Sequence, residues 1–298
     1  MDRTELLSKI APFPIIAGKL SADLLSGNYR SIFRGQGMEF DEVRRYEAED
    51  DVRSIDWNVS ARFGVPFVKL FREEREMTVC VILDMSASMH TPGSSPANGT
   101  SYTLYEQGLL AAALIAYSAE FSGQRFSAVF FDNQIRRIFP PRKGKPHIMA
   151  FITSALEIRP MEKGTGLGAA LTGATRLLKH RSLVVIISDF FSLNWEQEMG
   201  EISRKHDVIA IRITGTLENE IPCKGFINFE DPETGSNFRA PVSAGFQSAW
   251  ENWRSDRRHL WESIARRSGA AFFTLSTTDD AAASLAGFFR RTSDRRPR

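Results

Sequence analysis

"TVCVILDMSAS", residues 78–88, decides how this chain is read. Val79 to Leu83 are apolar at every position, so a strand here is buried on both faces. The run stops at Asp84. Ser86 and Ser88 then follow at alternate positions. Alternate side chains converge on one point here only if the segment is a loop. The pattern therefore predicts a buried strand that ends in a loop gathering three oxygen-bearing side chains, with Met85 and Ala87 turned away.

The same pattern continues downstream. Helix periodicity covers residues 103–121, 146–156, 167–180 and 194–206, and apolar strands fall at 125–131, 183–187 and 207–213. "FINFEDPETGSNFRAPV" reads as a β-hairpin insertion near 226–242, with a loop longer than two residues. A long helix at 246–270, a strand at 271–275 and a helix near 279–290 follow, with "RRTSDRRPR" as a disordered tail. Doubly buried strands alternating with helices predict an α/β fold: an open, mostly parallel sheet with helices on both faces, wound by right-handed crossovers.

Residues 1–75 read as an N-terminal segment ahead of a main domain at 76–298. "TELLSKI" suits a short helix, which Pro12 and Pro14 limit. Residues 39–56 hold eight acidic and three basic residues. That stretch reads either as a solvated loop or, given Phe40, Trp57 and Phe63, as a segment that packs on something. "PFVKLF" alternates and reads as a strand.

Composition sets outer bounds. The 298 residues carry 38 Lys and Arg against 36 Asp and Glu, so no global charge draws the chain to nucleic acid or anionic lipid. Two cysteines, Cys80 and Cys223, do not suggest a disulfide framework, which suits a reducing compartment. The N-terminus lacks signal-peptide pattern and no long apolar span occurs, so a cytoplasmic protein without a membrane span is expected.

In an open parallel sheet, ligands bind beyond the carboxyl ends of the strands, at the switch in strand order. Asp84, Ser86 and Ser88 fall there, as does Asp189 after "LVVIIS". Thr165, in "EKGTGLGAAL", opens the helix before that strand. Two carboxylates and three hydroxyls are hard oxygen donors that suit Mg²⁺, Mn²⁺ or Ca²⁺. Each residue alone also reads as a helix cap.

"DMSAS", "GTGLGAAL" and "SDF" together resemble the metal-ion-dependent adhesion site of von Willebrand factor A domains. The resemblance implies one divalent ion held by Asp84, Ser86, Ser88, Thr165 and Asp189. It departs from the pattern at Phe190, where glycine usually follows the third-loop Asp. "RGQGMEFDEVRRYEAEDDVRSIDWNVSARFGVPFVKLFREERE", "PPRKGK" and "FEDPETG" resemble the domain of unknown function 58 (DUF58) family, from about residue 28 to the C-terminus. That resemblance implies a von Willebrand A-like adaptor without catalytic activity, working with a MoxR-type AAA+ ATPase to chaperone or activate client proteins. Many family members carry transmembrane helices ahead of this region, and this chain is expected to lack them.

The expected function is a metal-dependent interaction module whose ion takes an Asp or Glu from a partner. A metal-dependent, phosphatase-like hydrolase with His90 as base is the alternative. It lacks the second Asp two residues after the first, where Ser86 stands. Residues 251–298 hold ten arginines and six acids, with Arg254, Arg257 and Arg258 near Trp253 and Trp261. A nucleic-acid surface is disfavoured there, because arginines around packed tryptophans usually stay in solvent.

Overall fold

The first helix stops short of Pro12, as the two prolines suggested, and a second begins around Pro14. The computed structural model describes residues 3–26, 39–47, 50–72, 77–91, 102–158, 164–215, 218, 225–230 and 236–294. In it α1 covers Arg3–Ile10 and α2 covers Phe13–Ser26. Pro14 lies in the first turn of α2, where a backbone N–H would have no partner within the helix, so its lack of one costs nothing. "RGQG" at 34–37, Cys223 and the loop 231–235 lie outside the described residues.

Residues 31–76 form a small unit. Its β1 (Glu39–Arg45) pairs antiparallel with β2 (Phe67–Arg72), and α3 (Trp57–Phe63) lies between them in sequence. The acid-rich stretch is thus partly strand, and its carboxylates are put to use. Arg44 donates to Asp50 at 2.5 Å. Asp51 caps the short turn Val52–Ser54, and Asp56 caps α3 by accepting from the N–H groups of Asn58 and Val59. Trp57 and Phe63 are exposed.

The main unit joins residues 1–30 to 77–298. Its elements continue with β3 (Thr78–Asp84), α4 (Leu104–Phe121), β4 (Arg125–Phe131), β5 (Ile135–Arg142), α5 (Lys145–Glu157), α6 (Leu167–Leu177), β6 (Leu183–Ser188), α7 (Glu196–Lys205) and β7 (Asp207–Thr214). A hairpin, β8 (Phe226–Glu230) with β9 (Asn237–Pro241), precedes α8 (Ala244–Ser268), β10 (Ala271–Ser276) and α9 (Ala281–Asp294). Residues 290–294, read as tail, are the last turns of α9.

Six strands form one sheet in the order β10-β7-β6-β3-β4-β5. All neighbours are parallel except β4 and β5. The chain leaves β3 toward β4 and β5, then returns to β6 on the other side. The order therefore reverses between β3 and β6, which puts the ligand-binding crevice at their carboxyl ends. Both strands are buried from end to end apart from Thr78.

Cys80 and Ile82 face one layer with α6, α7 and Trp261 of α8. Burial pushes the Cys80 thiol up to about 12, so it stays protonated and packs as a small apolar group. The opposite layer is built on α4, which starts in a capping box between Thr103 and Glu106. This helix is apolar nearly all round because α2 and α9 also pack on it. That contact explains why the N-terminal helices group with the main unit.

Candidate metal centre

At the switch point three connections are tied together by hydrogen bonds. In the first, β3 ends at Asp84, fully buried and opposite Phe131 of β4. Its Oδ1 accepts the Ser86 N–H at 2.9 Å, which turns the chain. The Oγ atoms of Ser86 and Ser88 then stand 3.1 Å apart. Met85 N–H donates to the Phe131 carbonyl at 2.8 Å.

The second connection seats on the next carbonyl. Gly166 N–H donates to Asp132 C=O at 2.6 Å, and this holds Thr165 at the same edge. Asp132 is itself buried. Its carboxylate accepts from Arg136 Nε at 2.7 Å and from the Gln134 N–H at 3.1 Å. The tight β4–β5 turn is therefore a common anchor for two of the three loops.

Ser188 ties in the third connection. Its hydroxyl donates to Asp84 Oδ2 at 2.6 Å and accepts the Phe190 N–H at 2.9 Å. Asp189 is 2% exposed, and its Oδ1 accepts the Phe191 N–H at 3.0 Å. The two carboxylates feel each other. Burial pushes the Asp84 carboxyl up to about 7, and the like charge of Asp189 adds to that rise. The structure thus draws Asp84, Ser86, Ser88 and Asp189 into one cluster and sets Thr165 at its edge through Gly166. Sequence reading missed Ser188 and the Phe131–Asp132 carbonyls. The serine before "DF" was a visible signal, whereas the carbonyls had none, because any residue supplies one.

The nearby helix caps fall on other residues. α6 begins at Gly166, α7 at Trp195 and the turn Ser88–His90 at Ala87, each without a side-chain cap. None of the expected ligands is spent in that way. His90 stacks on Tyr105, with ring centres 4.5 Å apart. Among the described residues no group of three or more His, Cys, Asp or Glu is assembled. The donor set is therefore hydroxyl-rich with two buried carboxylates, which fits a hard divalent ion and not a soft one. A groove of about 480 Å³ leads from Thr165 along α6 toward Arg176, with Leu193 and Glu198 on its other wall.

The family model described as "Protein of unknown function DUF58" matches residues 42–259. The chain belongs to the DUF58 family. An uncharacterized protein of Mycobacterium tuberculosis is 27% identical to this DUF58 chain over 292 residues, covering 97% of it and 90% of the relative. A solved structure, an aerotolerance-related membrane protein from Bacteroides fragilis, aligns at a TM-score of 0.50 and 15% identity over 73% of this chain and 99% of that one. The VWA domain of SpRpn10 aligns at 0.41 and 9% identity, over 71% and 94%. The sheet described above is the open, mostly parallel α/β architecture expected from the sequence. Among the described residues, no helix is long and apolar enough to cross a membrane.

Phe190 is where this DUF58 protein departs from the usual glycine, and its backbone explains the glycine. Its φ is 57°, in the left-handed region that costs a residue with a Cβ about 1–2 kcal/mol. The cost is offset because the ring is 5% exposed and packs on Trp195 and Trp261, at 5.3 and 5.8 Å between centres. The side chain belongs to the core. Phe190→Ala is expected to destabilise by roughly 3–5 kcal/mol, losing the ring and keeping the strain. Phe190→Gly should lie about 1 kcal/mol above the alanine variant. Urea denaturation of the pair measures both, and an alanine variant as stable as the glycine one contradicts the account.

Proposed function

We propose that this DUF58 protein is a non-enzymatic interaction module. Asp84, Ser86, Ser88, Thr165 and Asp189 would hold one divalent ion, Mg²⁺ by preference over Mn²⁺ or Ca²⁺, and a partner docks by offering an Asp or Glu. The supporting observation is a pair of buried like charges, Asp84 and Asp189, beside paired hydroxyls that no helix uses as caps. The ion supplies a positive centre that takes a carboxylate oxygen. The protein supplies rigidity. Ser188 fixes one Asp84 oxygen, and the Phe131 and Asp132 carbonyls fix the first two loops to strand ends. The groove along α6 gives room for the chain on either side of a partner's acidic residue.

Family resemblance supplies the class of partner: a MoxR-type AAA+ ATPase, with the DUF58 chain helping it act on client proteins. Tagged wild type, isolated from cells in Mg²⁺, is expected to bring down an AAA+ ATPase. Recovery should fall with chelator and with Asp84→Ala. Equal recovery by the variant would sink the metal-dependent form of this reading.

A further inference from the structure

A second charged group stands beside Asp189 and takes no part in the metal reading. Arg212, on β7 opposite Ser188, is 5% exposed and donates to the Asp189 carbonyl at 3.4 Å. Its charge is answered by an ion pair with Glu218. Arg254 of α8 is likewise engaged, donating to the Glu218 carbonyl at 2.9 Å.

Arg257, one turn further along α8, differs from both. Its Nη2 makes one long hydrogen bond, 3.5 Å to the Phe190 carbonyl. The guanidinium lies 4.4 Å over the Phe191 ring and 5.7 Å from the Trp253 ring. Those two rings stack on each other at 6.0 Å, so they hold the arginine in place. Among the described residues, no carboxylate comes within the 4.0 Å of an ion pair with it. Burial weighs most against its charge and Arg212 adds to that, while Asp189 and Glu218 favour it only through space. Five N–H donors in a planar fork suit a carboxylate bound through both oxygens. Most of that capacity is unspent, on the third metal loop, at a half-buried site where a charged contact is screened less than at the surface.

We propose that Arg257 is an anion-binding contact next to the metal centre, so that the ligand is an acidic peptide segment of a partner protein presenting two carboxylates, one to the ion and one to Arg257. This rests on the metal-dependent docking reading for its first carboxylate and on the Arg257 geometry for its second. An aromatic platform with arginine also suits single-stranded nucleic acid. The neighbouring Asp84 and Asp189 favour a ligand that can use a metal ion, and Arg212, the other guanidinium beside the Phe191 ring, is already paired with Glu218.

The test uses the full chain with a labelled hexaglutamate peptide in Mg²⁺, a hexaglutamine peptide and a dT hexanucleotide, followed by anisotropy and by Trp fluorescence. Wild type is expected to bind hexaglutamate over the other two. Arg257→Met, which keeps an apolar stem on the rings, should weaken hexaglutamate binding about tenfold or more, as loss of a hydrogen bond to a charged group does. Arg257→Lys, with charge but no fork, should fall between. Thermal melts with and without Mg²⁺ on the same samples read the metal centre separately, with Asp84→Ala as its control. No hexaglutamate binding by wild type, or equal binding by Arg257→Met, overturns the proposal while an intact Mg²⁺ response leaves the metal reading standing. Arg257-dependent binding of the oligonucleotide above the peptide overturns it in favour of nucleic acid. Peptide binding that needs Arg257 but not the ion overturns the two-carboxylate form and metal-dependent docking together, while the melts still report whether the ion is bound.

Discussion

Mg²⁺ added to the metal-free protein at about pH 8 is expected to raise its melting temperature, and Asp84→Asn is expected to abolish that rise. At a hundredfold excess over Kd, a ligand bound only by the folded state adds about 2.7 kcal/mol, roughly 4–5 °C for a chain of this size. The variant should differ in a second way. Burial first, and the charge of Asp189 second, raise the Asp84 carboxyl to about 7 in the folded state, above its ordinary 3.8. A raised folded value means that stability from the protonated group is fully present below about pH 3.8. It is lost as pH rises through about 7. Above that point the metal-free protein holds two buried carboxylates facing each other, and asparagine removes one charge while keeping an oxygen for Ser188. Asp84→Asn should therefore melt higher than metal-free wild type at about pH 8, with little difference near pH 4. Two results contradict the argument: wild type without any Mg²⁺ response, or a variant that melts lower than metal-free wild type at both pH values.

That cluster was legible because Asp84 and Asp189 follow apolar runs that are themselves unmistakable. Val79–Leu83 and Leu183–Ile187 are buried on both faces, and such runs have little choice but the centre of a covered sheet. Edge elements were harder to read. β5, "IRRIFPPR", was missed: only Phe139 is buried in it, and Arg136, Arg137 and two prolines are tolerable because the strand borders solvent. β1 hid in a run of acids for a related reason, since its charge pattern has no apolar period. The reading of Thr165 stayed open in the sequence because a Thr before a helix looks the same whether it caps or ligates. Only the backbone reveals that Gly166 takes the cap position. The unspent donors of Arg257 were hidden for another reason. An arginine between tryptophans on a helix usually reaches solvent, and here the ring of Phe191 brings it onto the third loop.

Gly166→Ala is expected to cost more of the Mg²⁺ response than any other substitution at a residue that contributes no side chain to the site. A Cβ there would stand 2.2 Å from the Asn133 carbonyl oxygen and 2.8 Å from its carbon, both backbone atoms that cannot rotate away. The loop would have to lift off the β4–β5 turn. That motion breaks the 2.6 Å bond from Gly166 N–H to Asp132 C=O, the contact that seats Thr165. Overpacking of this kind costs about 1–3 kcal/mol, with the lost hydrogen bond in addition. Gly168→Ala, two residues on, is the matched control. Its added carbon meets the end of the Glu198 side chain at 3.3 Å, and that end can swing aside. The control should cost under about 1 kcal/mol and keep the Mg²⁺ response. Gly166→Ala should lose most of that response beyond what its lower melting temperature explains, because Thr165 moves with the loop while Asp84, Ser86 and Asp189 stay in place. A Gly166→Ala protein with an undiminished Mg²⁺ shift would mean that Thr165 does not ligate the ion, and the centre would then be built from the first and third loops alone.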